Sequence, residues 1–379
     1  MSSSCRQANQ GEEQSMQLST AFHDPELCRG LLDRLQAELK QELAFMEVCG
    51  THTVTIFQSG LRTMLPPRLK HVSGPGCPVC VTHAGEIQAC LEVAGKDKVM
   101  VATFGDMLRV PGPDGRTLKQ AQAEGADVAV CYSPMDAVRL AQKHPEREVV
   151  FLGVGFETTA PAVAAAVQQA RRLGLANFSL VSCHKRIPPA LRHLLGSGDV
   201  QVEAFILPGH VSTVIGIEPY AFLPEEFGLP AVVAGFEPAE ILQALLEIVR
   251  MLNADRPEVL NAYPRGVAEQ GNPKAKQVMA EVFQVTEATW RGLGRIADSG
   301  FGLSAEYADF DAADRFHLQT APVDDPPGCL CGQVLKGTAA PSECRLFGSA
   351  CTPASPVGPC MVSSEGSCAA HFKYSLDRT

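Results

Sequence analysis

No run of about 18 or more consecutive apolar residues occurs in the 379-residue chain, so no membrane-spanning helix is predicted. Basic runs are missing as well. Lys+Arg number 32 against Asp+Glu 42, a formal net charge of -10, whereas a nucleic-acid binder needs clustered cations to neutralise phosphates. The opening residues are polar, carry Glu12 and Glu13, and lack the basic and apolar regions of a signal peptide, so residence in the cytoplasm is expected. No Gly-x-x-x-x-Gly-Lys-Ser/Thr motif is present, which argues against a P-loop ATPase. Cysteine, by contrast, is plentiful at 14 residues. Disulfides rarely persist as staples in a reducing compartment, so these thiols read as metal ligands, redox groups or small buried hydrophobes.

Length and a 45% hydrophobic content suggest two or three domains. Residues 1–23, rich in Ser, Gln and Glu, read as a disordered tail. Asp24-Pro25 then opens a helix expected to run to about Lys40. From Ala44 to about Arg250 short apolar runs alternate with helical patterns: Phe45–Val48, Val99–Ala102, Val128–Val130, Val149–Leu152, Ser179–Ser182, Ala204–Leu207 and Ala231–Ala234. Continuously apolar strands separated by helices are what a parallel sheet covered on both faces requires. The expected fold is α/β: two doubly wound, Rossmann-like lobes around a cleft, over 24–144 and 145–252, with a break near His144-Pro145. A loop-rich C-terminal domain is expected over 253–379, with helical patterns over Lys274 to Val285 and Glu287 to Leu293.

Polar residues gather where each run ends, and ligands of open parallel sheets bind outside the carboxyl ends of strands. Cys49-Gly50-Thr51-His52-Thr53, Phe104-Gly105-Asp106, Gly155-Phe156-Glu157-Thr158-Thr159, Cys183-His184-Lys185-Arg186, Pro208-Gly209-His210 and Gly235-Phe236-Glu237 should therefore converge on a cleft. Glu157 reads equally as a helix-capping residue or a cleft carboxylate, and His210 as a turn residue or a ring in the crevice. Asp106 reads as a cap. Cys183 with His184 could bind a metal, although Lys185 and Arg186 suit an anion better. Cys5, Cys28, Cys90 and Cys131 read as packing or solvent-facing thiols. Gly-Phe-Glu occurs twice after an apolar run, as two copies of one strand-turn-helix unit.

Two cysteine groups carry the chemistry. Cys77 and Cys80 sit in the stiff turn Gly74-Pro75-Gly76-Cys77-Pro78-Val79-Cys80, and such a pair is half a metal site, a thioredoxin-like redox pair or packing. Cys49 with His52 tips the balance towards metal, because a third sulfur and an imidazole at a strand end add soft donors with open positions. The second group is Cys329, Cys331, Cys344, Cys351, Cys360 and Cys368. Taken as one set, Cys329, Cys344, Cys351 and Cys368 are separated by fourteen, six and sixteen residues. Four thiolates on loops suit structural zinc or an iron-sulfur cluster, and the lack of paired Cys-x2-4-Cys hooks favours the cluster. That set leaves Cys331 and Cys360 over, and two thiols beside a cluster could form a redox-active pair that takes electrons from it.

These motifs, in this order and joined by Cys360-Met361-Val362-Ser363-Ser364-Glu365-Gly366, resemble those of the HypD family of maturation factors for nickel-iron hydrogenases, over roughly 24–375. The resemblance implies two similar α/β domains around a cleft and a third domain holding a 4Fe-4S cluster. It implies a scaffold, more an assembly factor than a turnover enzyme. With a HypC-type small chaperone, it would carry an iron ion while that ion receives two cyanides and one carbon monoxide, before transfer to the hydrogenase large subunit. The cyanides would come from a HypE-type partner. Carried over residue by residue, the iron site falls on Cys49, Cys77 and Cys80 with His52 and His210 beside it. The cluster ligands fall on Cys329, Cys344, Cys351 and Cys368, and the redox pair on Cys331 and Cys360. An iron-sulfur thiol-disulfide reductase acting on a partner protein is the competing reading.

Overall fold

A computed structural model describes residues 24–320 and 323–375, so the tail expected over 1–23, with Cys5, lies outside the described residues. Asp24 caps the first helix, Pro25–Glu38, by accepting the Glu26 amide at 2.8 Å, with Pro25 at the first helical position. The seven apolar runs are all strands: β1 (Leu43–Glu47), β3 (Val99–Thr103), β4 (Asp127–Val130), β5 (Glu148–Gly153), β6 (Phe178–Ser182), β7 (Ala204–Pro208) and β8 (Ala231–Ala234). Two more, β2 (Leu69–Ser73) and β9 (Val259–Asn261), join them. Neither is fully buried, so neither shows the apolar run that betrays an interior strand.

The strands form two parallel sheets, ordered β2-β1-β7-β8-β9 and β4-β3-β5-β6. The α/β class with two lobes is therefore present, but the division expected at 144/145 is corrected. β4 and β5 belong to one sheet, and β1 pairs with β7 some 160 residues later through Phe45↔Ala204, Met46↔Phe205 and Glu47↔Ile206. The chain leaves the first sheet after β2, builds the second sheet whole, and returns at β7. Periodicity reports that strands exist and is silent on which strands pair. The His144-Pro145 break is a helix-to-strand connection inside one sheet.

Apolar residues of both sheets, among them Met46, Val101, Leu152 and Leu207, share one core cluster between the lobes. Two outer clusters seat helices on the far faces, such as Pro238–Asn253 over the first sheet and Ala160–Arg172 over the second.

Beyond β9, helix Pro273–Val282 matches the expected pattern, whereas the helix expected over Glu287 to Leu293 is replaced by a hairpin of β10 (Phe283–Trp290) and β11 (Gly294–Leu303). Gly292 and Gly294 both have φ of 78°, which closes the turn and stops a helix. Isolated bridges Thr82↔Trp290 and Lys185↔Gly300 stitch this hairpin to the segment after Cys80 and to the end of β6. Trp290 is fully buried, donates Nε1–H to Ser299 Oγ at 2.9 Å, and stacks on Phe156. Trp290→Ala should lower the unfolding free energy by about 3–5 kcal/mol. Urea denaturation checks this, and a cost under about 1 kcal/mol would mean that the hairpin is not part of the cooperative unit.

Candidate functional site

Each sheet reverses its winding at one place, between β1 and β7 in the first and between β3 and β5 in the second. Loops diverge at such points and leave a crevice. Cys49 and His210 follow β1 and β7, while Asp106 and Glu157 follow β3 and β5. The ends of the two sheets adjoin: the wholly buried Tyr220 lies within electrostatic reach of both Glu157 and Cys49, and Glu365, which acts on Cys49, also feels Asp106.

Cys49 is the N-cap of helix Gly50–Gln58, and the amides of Thr51 and His52 lie near its sulfur without a capping hydrogen bond. Burial and the Glu365 carboxylate outweigh those amides and push the thiol up to about 12, so it is protonated at neutral pH. Glu365 arrives from the C-terminal segment and accepts the Thr51 hydroxyl at 2.9 Å. Beneath the loop lies a wholly buried carboxylate, Glu47, accepting the Cys49 amide at 3.2 Å and the Thr53 hydroxyl at 2.6 Å, with His71 Nε2 at 3.4 Å. The sequence reading passed over Glu47 because it counted Phe45–Val48 as an apolar run. An acid inside an otherwise apolar strand was the available signal.

The turn ending in Cys80 packs against this loop. The Gly50 amide donates to Gly76 O at 3.0 Å, and a Cβ on Gly76 would overlap the Cys49 backbone. Cys77 and Cys80 are joined as a disulfide with Cα atoms 5.2 Å apart, the oxidised form of a thiol pair and not the free thiolates that the metal reading requires. In this oxidation state the pair is a redox group, and neither sulfur is available as a thiolate ligand. The Pro78 ring sets the first residue of the short helix Pro78–Val81, and that turn holds the two sulfurs at bonding distance.

All six C-terminal cysteines line one small apolar cavity with Val334, Leu346 and Met361. Cys331 Sγ lies 2.9 Å from Cys360 Sγ, and further sulfur contacts link Cys329 to Cys331 and Cys360 to Cys368. Cys344 Sγ instead reaches Gly328 O at 3.7 Å and Cys351 Sγ accepts the Val357 amide at 3.3 Å, and among the described residues no three His, Cys, Asp or Glu side chains stand around a common centre. The donor set still fits an iron-sulfur cluster. It is all sulfur, its walls are apolar, and Gly358 faces it where a Cβ would come within 2.9 Å of Cys329 Sγ. Cys80 Sγ is 4.0 Å from the carbonyl of Pro359, the neighbour of Cys360, so the two thiol pairs adjoin.

His52 is fully buried, with Nε2 2.8 Å from Gly235 O and Nδ1 without a hydrogen-bond partner. Burial lowers its pKa to about 4, which keeps the ring neutral and, with Nε2–H donating, leaves the Nδ1 lone pair open. Its ring and that of His210 both stack on Phe236, at 4.8 and 3.9 Å. Glu157 is buried and accepts the Ile187 amide at the start of helix Ile187–Gly196, so it caps that helix and not the one that follows it in sequence. Glu237, from the second Gly-Phe-Glu, instead caps its own helix. Cys183 touches Cys90, and Lys185 is paired with Glu86.

Burial raises Glu157 from 4.5 to about 7. The folded state therefore binds more protons than the unfolded state between these values, and stability falls as pH rises through that window. Glu157→Gln keeps the acceptor and removes the titration. Relative to wild type it should gain stability from pH 5 to pH 8, on the order of 3 kcal/mol, in paired denaturation curves. Parallel pH profiles would refute the assignment.

A family model for HypD, described as "Hydrogenase formation hypA family", matches residues 26–375. The chain is 46% identical over 367 residues to hydrogenase maturation factor HypD of Escherichia coli, covering 95% of this chain and 98% of that one. It is 44% identical over 362 residues to hydrogenase maturation factor HypD of Cupriavidus necator, covering 93% and 96%. HypD of Azotobacter vinelandii is similar at 44% over 365 residues, covering 94% and 96%. Among the described residues no helix is long and apolar enough to cross a membrane. With matches running from end to end of the described chain, the protein belongs to the HypD family of hydrogenase maturation factors.

Proposed function

We propose that this chain is a cytoplasmic scaffold on which, together with a HypC-type small chaperone, the Fe(CN)2CO fragment of the nickel-iron hydrogenase active site is assembled. A HypE-type partner delivers the cyanides, and the hydrogenase large subunit receives the fragment. The observation that carries this reading is the seat of Cys49: a buried thiol at a switch point, at the N-terminus of helix Gly50–Gln58, with the turn that bears Cys77 and Cys80 packed on its backbone.

A soft thiolate suits low-spin ferrous iron bearing cyanide and carbonyl, and it leaves positions open for the diatomics. Because burial holds Cys49 protonated, iron binding must release its proton, and the Thr51 and His52 amides then stabilise the sulfur's charge. Opening the Cys77–Cys80 disulfide takes two electrons and gives two more sulfur donors beside Cys49. The adjoining Cys331 and Cys360 thiols can supply them by exchange: their own disulfide forms as the other opens. Cys329, Cys344, Cys351 and Cys368 would hold a 4Fe-4S cluster, which supplies single electrons when bound.

Cys49→Ala should abolish the cyanide and carbonyl infrared bands of protein purified anaerobically with its small partner, while the visible absorption of the cluster stays. Bands that persist in Cys49→Ala, Cys77→Ala and Cys80→Ala alike would sink the scaffold reading. The adjacency of the two thiol pairs also favours the reductase reading. In that case a two-electron thiol step lost in Cys331→Ser would track reduction of a partner's disulfide, with no infrared bands at all.

A further inference from the structure

Among the described residues, two fully buried hydroxyls make no hydrogen bond within the fold. Tyr220 ends the single turn Glu218–Tyr220, and Ser212 lies on helix Gly209–Ile215, just beyond His210. Both side chains are completely buried, and neither hydroxyl makes a hydrogen bond among the described residues. They face one another without hydrogen-bonding geometry, and Tyr220 lies within electrostatic reach of Cys49 on one side and Glu157 on the other. A buried hydroxyl without a partner costs roughly 1–3 kcal/mol, a cost that Phe and Ala would avoid at these positions. Two adjacent orphan donors call for acceptors that arrive from outside the chain.

We propose that the Tyr220 and Ser212 hydroxyls hold the cyanide nitrogens of the iron fragment carried by Cys49. This inference rests on the scaffold reading. An iron-bound cyanide concentrates electron density on its outer nitrogen and accepts hydrogen bonds well, whereas bound carbon monoxide is a poor acceptor. Two donors therefore match two cyanides. The carbonyl is left to apolar groups of the same cluster, among them Val211 and Phe156. Burial and the Glu157 carboxylate hold Tyr220 well above its usual pKa, so its hydroxyl keeps its proton and remains a donor. The pair would orient the fragment and distinguish its cyanide from its carbonyl positions.

The test is infrared spectroscopy of the anaerobically purified complex with the small partner, in wild type, Tyr220→Phe and Ser212→Ala. Each variant removes a single oxygen atom. The expected result is that all bands remain, that at least one cyanide band shifts in each variant, and that the carbonyl band moves less. Cyanide bands at wild-type frequencies in both variants would overturn the proposal while leaving the scaffold intact. Absence of bands in wild type would overturn both. Thermal unfolding of the fragment-free proteins is a second readout. Unchanged or raised midpoints in the two variants support hydroxyls kept for a ligand, and lowered midpoints would assign them to the fold instead.

Discussion

The turn that carries Cys77 and Cys80 lies against the backbone of Cys49 at a separation that no side chain could occupy, with Gly76 at the contact. That approach fixes three sulfurs at the end of β1. It also fixes where the C-terminal segment can sit. Gly50 has room for no Cβ, because Glu365 packs directly on it, and Gly366 is pressed in the same way against the Cys360 carbonyl. Three glycines thus let three stretches of backbone converge, and both thiol pairs are brought together as a result.

Burial sets the charge state of the crevice. Cys49 is raised to about 12, Glu157 to about 7, and His52 lowered to about 4, each chiefly by desolvation. Around neutral pH the thiol and the imidazole are uncharged, and the carboxyl is close to half protonated. A site in this condition resists an isolated ion and admits one whose charge is offset by anionic ligands or by protons released on entry.

Much of this was legible in the residues. The seven interior strands announced themselves because a strand covered on both faces has no polar side to show. Four residues of their polar tails, Cys49, His52, Glu157 and His210, do follow strands at the points where the winding reverses. Pairing was not legible: the β1–β7 register spans a distance along the chain that local pattern cannot see. The hairpin from Phe283 to Leu303 was hidden because Glu287 to Leu293 also satisfies a helical spacing, and only the two positive-φ glycines decide between the forms. Tyr220 and Ser212 escaped because their importance lies in what they fail to touch, which no sequence shows.

The return of the chain to the first sheet bears on how the molecule comes off the ribosome. β3 to β6 are contiguous in sequence and can close their sheet as soon as they emerge. β1 and β2 are made earlier but must wait for β7, with the sulfur-bearing turn attached to an incomplete sheet throughout synthesis of the second lobe. Pairing over that separation is slow to form. During this interval Cys49, Cys77 and Cys80 are open to adventitious oxidants and metals, and the nascent chain is most vulnerable before its own crevice exists.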